Sequence, residues 1–309
     1  MVKDGTPPIL EIENLAVSFR QYEKGLRQRE LEVISSLSIQ IQAGEILAIV
    51  GSSGSGKSLL AHAILGILPS NARVSGSLKY RGRELTSSRQ EKLRGRELVL
   101  VPQSVTYLDP LMKIGAQVRG TNGSAEAQRR VFEKYQLGSE TEEMYPFQLS
   151  GGMARRVLVA TAVIGAAGLI IADEPTPGLH PAVAEETMRH LRALADEGRS
   201  VMLITHELDL ACRVADRIAV FYGGTTVEVA PVADFIQGRE ALRHPYSKAL
   251  WNALPQNGFQ AIPGSQPYAG RKVSGCVFAA RCQIKTEECN RPVAFQELRG
   301  GTVRCCHAT

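Results

Sequence analysis

Residues 46–58 read Ile46-Leu47-Ala48-Ile49-Val50-Gly51-Ser52-Ser53-Gly54-Ser55-Gly56-Lys57-Ser58, and this run decides the fold. The apolar stretch Ile46 to Val50 is the length of a buried strand. A glycine- and serine-rich turn, Gly51 to Gly56, follows it, and the spacing predicts a helix starting near Lys57. The run satisfies G-x-x-x-x-G-K-[ST]. There, small residues let backbone N–H groups close around phosphate oxygens, and the helix N-terminus adds positive potential. In that pattern Lys57 reaches the β and γ phosphates of a nucleotide and the Ser58 hydroxyl binds Mg²⁺.

Working outward, the apolar runs Leu98 to Val101, Leu169 to Ala172, Val201 to Thr205 and Ile218 to Tyr222 read as strands alternating with helices. One helix is predicted over Pro181 to Glu197, where Ala184, Met188, Leu191 and Ala195 keep helical spacing. Pro181 suits its first turn and Gly198 its stop. The alternation predicts an α/β fold with a doubly wound, mainly parallel sheet covered on both faces. Upstream, Ile9 to Phe19 and Leu31 to Ile41 predict an antiparallel β subdomain, with the polar segment Arg20 to Glu30 as a long hairpin loop. From about 105 to 166 the pattern is helical and irregular, which predicts an inserted α-helical subdomain. The uncharged stretch Val157 to Ala172 falls short of the ~20 residues that span a bilayer. Gly165 and Gly168 divide it into a buried helix and a buried strand. Pro245, Pro255, Pro263 and Pro267 break up residues 240–270, which places a domain boundary near 238, between a main domain (1–238) and an extension (239–309).

The chain has 309 residues, 44% hydrophobic and 22% charged, with a mean hydropathy of -0.09. That balance excludes disordered, collagen-like and membrane-spanning classes. Its 36 basic and 31 acidic residues give +5, but the basic residues are scattered, so charge gives nucleic-acid binding no support. The segment Met1 to Leu10 is polar and lacks the apolar core of an export signal, which predicts a cytosolic chain. Cys212 stands in an apolar helical context, Leu208 to Val214, and reads as a small core residue. Cys276, Cys282, Cys289, Cys305 and Cys306 crowd the C-terminal end. In a chain without an export signal that crowding favours a metal or metal–sulfur site over disulfides.

A second chemical feature is Leu169-Ile170-Ile171-Ala172-Asp173-Glu174, an apolar strand ending in two carboxylates at the carboxyl edge of a parallel sheet, where ligands bind. Asp173 would hold Mg²⁺, directly or through water, and Glu174 would polarise an attacking water. Between this strand and the phosphate loop lies Leu149-Ser150-Gly151-Gly152-Met153, which resembles the signature sequence of ABC ATPases. The resemblance extends residue by residue. Gln103 resembles the Q-loop glutamine, implied to touch Mg²⁺ or the lytic water and to face the transmembrane subunits. His206 resembles the switch histidine, implied to contact the γ phosphate. Tyr22 or Phe19 could supply the aromatic that stacks on adenine. The resemblance implies an ATP hydrolase in which two nucleotide domains meet face to face. Ser150 and Gly152 of this chain would complete the site around ATP bound to the partner. One position departs from the pattern. The loop Pro175-Thr176-Pro177-Gly178-Leu179-His180 carries His180 where the family has Asp, which makes a heterodimer with unequal sites more plausible.

His244-Pro245-Tyr246, the helical stretch to Leu254-Pro255, and Tyr145-Pro146-Phe147-Gln148 resemble the oligopeptide, dipeptide and nickel importer subfamily. Gly275-Cys276, Arg281-Cys282, Cys289 and Cys306-His307 match a cysteine segment common in that group. The resemblance implies a [4Fe-4S] cluster held by Cys276, Cys282, Cys289 and Cys306, with Zn²⁺ as the alternative and Cys305 as a rival fourth ligand. It further implies a second ATPase subunit, two transmembrane permeases, an extracytoplasmic binding protein, and a place on the cytoplasmic face of the membrane. The cargo would be a peptide or a nickel chelate. A soluble ABC ATPase acting on nucleic acid, and a regulatory subunit with little turnover, are the rival readings.

Overall fold

The computed structural model describes residues 7–24, 27–120, 123–267 and 273–309. The chain runs β1 (Leu10–Lys24), β2 (Arg27–Ile41), β3 (Ile46–Gly51), α1 (Lys57–Leu65), β4 (Ala72–Tyr80), β5 (Arg83–Glu84), α2 (Ser87–Leu93) and β6 (Leu98–Val101). Three helices follow, α3 (Ile114–Arg119), α4 (Ala125–Lys134) and α5 (Gly151–Val163). Then come β7 (Leu169–Asp173), α6 (Pro181–Asp196), β8 (Ser200–Thr205), α7 (Leu208–Val214), β9 (Arg217–Tyr222), β10 (Thr225–Pro231), α8 (Val232–Gln237), α9 (Pro245–Asn252), β11 (Gln296–Leu298) and β12 (Gly301–Val303).

The main sheet has the order β11-β12-β10-β9-β3-β8-β7-β6. Strands β9, β3, β8, β7 and β6 are parallel, and β10, β12 and β11 continue antiparallel. Alternation along β3 explains the layering. Ile46, Ala48 and Val50 point to one face, where Val157 and Leu158 of α5 and Met188 and Leu191 of α6 cover them. Leu47 and Ile49 point to the other, against Leu60 and Ile64 of α1 and Leu10, Ile12 and Leu15 of the second sheet, ordered β2-β1-β4-β5. A strand buried on both faces reads as a continuous apolar run, which is why β3, β7 and β8 were legible.

The expected hairpin loop over Arg20 to Glu30 is corrected. β1 and β2 stay paired through Arg20↔Glu30, Gln21↔Arg29 and Tyr22↔Gln28 to Lys24↔Arg27, with Gly25 and Leu26 outside the described residues. These outer rungs are exposed, so no apolar alternation marks them. Polar cross-strand contacts accompany the pairing instead, with the Ser18 hydroxyl donating to Glu30 at 2.6 Å and Gln28 Nε2 to the Tyr22 hydroxyl at 3.2 Å.

Residues beyond 238 are built onto the same sheet. β12 pairs with β10 through Glu228↔Val303 and Val229↔Thr302. Glu228, fully buried, accepts from the Arg243 amide at 2.9 Å and the His244 amide at 2.8 Å, and faces the Arg243 guanidinium at 3.3 Å. His244 caps α9 by accepting from the Tyr246 amide at 3.0 Å, and burial pushes its imidazole down to about 3. The unfolded chain holds a proton on His244 below its ordinary 6.5 that the folded chain excludes down to about 3. Stability is therefore lost as pH falls through 6.5, by about 2 kcal/mol at pH 5 from this group. Urea titrations of His244→Asn, which keeps the cap, should show the pH 5–7 slope flattened by about one proton. An unchanged slope would assign it elsewhere.

Candidate functional site

The phosphate loop joins β3 to α1. Gly51 has no alternative, because a Cβ there would lie 2.2 Å from the Phe221 carbonyl oxygen of the neighbouring strand β9. Gly56 caps α1 at φ +100°, a conformation that only glycine adopts without strain. Lys57 is 5% exposed, and its ammonium donates to the carbonyls of Gly51 at 2.8 Å and Ser52 at 3.0 Å. Burial lowers its proton affinity, and the charges of Glu174 and Asp173 oppose that shift.

Asp173 ends β7 beside α1. Its Oδ1 is buried with no hydrogen-bond partner, and burial raises its carboxyl, against a hydrogen bond with Ser58. Ser58, Gln103 and Asp173 line one cavity of about 120 Å³, with His62, Ser104 and Tyr107. An orphaned carboxylate oxygen grouped with a hydroxyl and an amide side chain is the donor set of a hard cation such as Mg²⁺. The charge that would hold the cation is a burden without it. Asp173→Asn should therefore abolish Mg²⁺-dependent activity while raising the melting temperature of the nucleotide-free chain by about 2–4 °C. A fall in melting temperature by calorimetry would contradict the burial argument.

Glu174 sits one residue further, at φ +45°, its amide donating to the Ile204 carbonyl of β8 at 2.8 Å. The left-handed turn aims its carboxylate along the sheet edge, where Oε2 lies 3.1 Å from His206 Nδ1. Glu174 is mostly buried and His206 half exposed, so the pair presents one protected carboxylate and one accessible imidazole. Next to it, Thr176 donates to Glu207 at 3.1 Å, tying the loop after Glu174 to the turn after His206.

Leu149-Ser150-Gly151-Gly152-Met153 lies at the start of α5. Ser150 is the N-cap, accepting from the Met153 amide at 3.3 Å, and is exposed. A Cβ on Gly151 or Gly152 would meet nothing within 4 Å, so this helix start is an open surface. His180 caps α6, accepting from the Ala182 amide at 3.4 Å. Of the two aromatic candidates, Phe19 packs partly against the core and Tyr22 is 69% exposed.

Arg155 is the residue that sequence reasoning missed. Buried on α5, it donates to the carbonyls of Pro102 at 3.1 Å and Pro177 at 3.4 Å, and to that of Gln103. It thereby joins the signature helix to the segment carrying Gln103 and the loop following Glu174. The available signal was a charged residue, Arg155, one turn ahead of the apolar Leu158 and Val159 on a helix that packs into the core.

In the extension, Cys289 and Cys306 approach to 3.5 Å between sulfurs, and with His307 their donor atoms lie within 4.8 Å of one another. Cys276 and Cys282 fall outside that group, although the Cys276 amide donates to the Cys289 carbonyl at 2.8 Å. Cys305 is buried, its sulfur accepting from the His307 amide at 3.4 Å and its thiol pushed up to about 12 by burial. Cys212 packs against the core, its thiol pushed up to about 11 by burial.

The ABC transporter family model matches residues 34–177, and the model of the oligopeptide/dipeptide transporter C-terminal region matches residues 227–289. Over 96% of this chain, the oligopeptide transport ATP-binding protein AppD of Bacillus subtilis is 34% identical, covering 96% of its own length. OppD of Salmonella typhimurium is 32% identical, over 96% of this chain and 93% of its own. Among solved structures, the dimeric cassette MJ0796 in a post-hydrolysis state bound to ADP and Pi superposes with a TM-score of 0.62 at 23% identity. That match covers 72% of this chain and 98% of that one, and shows the same fold. No helix among the described residues is long and apolar enough to cross a membrane.

Proposed function

Because the chain belongs to the ABC transporter family, in the branch with the oligopeptide/dipeptide C-terminal region, we propose that it is the ATP-hydrolysing subunit of an importer that moves peptides across the cytoplasmic membrane. One observation carries this reading. The Glu174–His206 pair, at 3.1 Å, stands at the sheet edge where Lys57 and the Ser58–Gln103–Asp173 cavity also converge.

The loop Gly51, Ser52, Ser53, Gly54, Ser55, Gly56, Lys57 and Ser58 holds the phosphates, and exposed Tyr22 offers a face for adenine. Mg²⁺ on Ser58, Gln103 and Asp173 would neutralise charge on the β and γ phosphates. Glu174 orients and polarises the attacking water and takes its proton, while His206 holds that carboxylate and reaches the γ phosphate. Ser150 and Gly152 act on nucleotide bound to a second ATPase subunit. The open helix start supports this, since among the described residues nothing lies within 4 Å of a Cβ placed on Gly151 or Gly152. His180 at the interface loop favours a heterodimer.

Val105, Tyr107, Leu111, Met112 and Phe147 are exposed, and Tyr107 lines the cavity that holds Gln103. A groove of about 320 Å³ lined by Val105, Leu108, Pro110, Pro146 and Phe147 supports docking of transmembrane permease subunits there. The chain would thus lie peripherally on the cytoplasmic face, with an extracytoplasmic binding protein delivering peptide. A nickel chelate is the alternative cargo.

The cysteine segment supports a metal centre, as its thiols are free and Cys289 and Cys306 lie 3.5 Å apart beside His307. We assign it to a [4Fe-4S] cluster on Cys276, Cys282, Cys289 and Cys306, which would supply a structural or redox-active centre. The nearness of Cys306 to Cys289 favours Cys306 over Cys305. Zn²⁺ is the alternative, and the 3.5 Å sulfur pair is close to the tetrahedral edge of about 3.8 Å that a single Zn²⁺ requires. Iron, sulfide and zinc analysis with visible absorption of anaerobically purified complex decides between them.

The function itself is tested in proteoliposomes containing this chain, its permeases and a second ATPase. ATP-driven accumulation of labelled peptide is expected, and accumulation indifferent to ATP would overturn it.

A further inference from the structure

The extension does more than dock beside the core, because one of its side chains bonds the second residue of the phosphate loop. The Ser52 hydroxyl donates to the side-chain carbonyl of Gln266, over 200 residues away in sequence. Beside it stands the Tyr246 hydroxyl of α9, whose proton affinity burial raises and the nearness of Ser52 lowers. Tyr246 is 2% exposed and is wedged between Tyr222 at the end of β9 (ring centroids 4.4 Å) and Phe278 of the cysteine segment (5.3 Å). Tyr222 and Phe278 close the triangle at 5.3 Å, and Val277 packs on the β9–β10 turn at Gly223. The Arg281 guanidinium donates to the Tyr222 hydroxyl at 3.2 Å and to the carbonyls of Ile262 and Pro263, each at 2.7 Å. It thus secures the stretch leading to Gln266.

Ser52 matters because its carbonyl, with that of Gly51, receives the Lys57 ammonium. Whatever fixes Ser52 fixes the entry of the loop whose amides must meet phosphate. Rigid packing holds Gly51 through β9, but Ser52 is the first residue beyond the strand, and among the described residues its side-chain hydroxyl bonds Gln266 of the extension.

We propose that Gln266 and Tyr246 are positioning residues of the ATP site, clamping Ser52 so that the phosphate loop is preformed for nucleotide. The extension is thereby part of the ATP-binding apparatus. Neither residue touches the reacting atoms. They act through Ser52, so their loss weakens nucleotide binding more than turnover. The aromatic triangle also brings the cysteine segment into contact with this clamp, through Phe278, two residues from Cys276.

The inference rests on the ATP site proposed above, and the test separates the two. In the reconstituted complex, Gln266→Leu, which keeps side-chain size and loses the acceptor, should raise the KM for ATP about three- to tenfold, with a smaller change in kcat. Tyr246→Phe, which keeps the ring packing, should act in the same direction. Combining Gln266→Leu with Ser52→Ala should produce no greater rise than Ser52→Ala alone, because both remove one interaction. A wild-type KM in Gln266→Leu, or full additivity in the double variant, overturns the clamp. A fluorescent ATP analogue and Lys57→Ala serve as the control. Undiminished nucleotide binding by Lys57→Ala overturns the site itself, whereas its loss alongside a wild-type Gln266→Leu overturns the clamp alone.

Discussion

Glu174→Gln should lower ATP turnover at least about 10²-fold, the lower end of what a positioned general base contributes, while nucleotide still binds. The geometry makes the substitution informative. The backbone of Glu174 is held in a left-handed turn by its bond to Ile204, and its carboxylate is held 3.1 Å from His206. Glutamine has the same shape and keeps an oxygen for that contact, but it cannot take a proton from water. Binding and chemistry therefore part company. Closure around ATP proceeds, and the step that would relax it is blocked, so an ATP-dependent dimer should accumulate in sedimentation experiments. Turnover within threefold of the parent would assign the base elsewhere.

The second large effect concerns stability. Glu228→Ala should cost about 3–5 kcal/mol, the usual result of breaking one side of a buried ion pair. Glu228 is fully buried and receives two amides and a guanidinium from Arg243 and His244. Without it, the Arg243 guanidinium, 1% exposed, keeps Asp234 at 2.8 Å as its one counter-charge among the described residues. Urea denaturation measures the loss. Arg243→Leu combined with Glu228→Ala should recover part of it, because the uncompensated charge is gone. A loss below 1 kcal/mol for the single variant would contradict the role given to this pair.

The parts of the molecule legible in sequence were those in which one physical requirement dominates a short segment. Gly51 to Ser58 must expose amides to phosphate. The central strands must be apolar on both faces, and Asp173-Glu174 must sit at the end of such a strand. The outer rungs of β1 and β2 escaped because their stabilising contacts are polar and cross-strand, so no local periodicity marks them. Arg155 escaped because its partners are backbone carbonyls of two distant loops, and carbonyls carry no residue identity. The contact of Gln266 with Ser52, and the placement of Tyr246 beside it, join segments that only the folded sheet brings together. The cysteine segment was visible as a cluster, yet only the fold sets Cys289 and Cys306 beside His307, with Cys276 and Cys282 further off.

In the proposed function, nucleotide on the Gly51–Ser58 loop is clamped against a second ATPase subunit to drive transport. An experimental structure of the complete transporter trapped with ATP, using Glu174→Gln, tests it most directly. Two nucleotides are expected at the subunit interface, with Ser150 and Gly152 of this chain within hydrogen-bonding distance of the γ phosphate held by the partner. Nucleotide touching one subunit alone, with Ser150 far from any phosphate in the closed state, would contradict it.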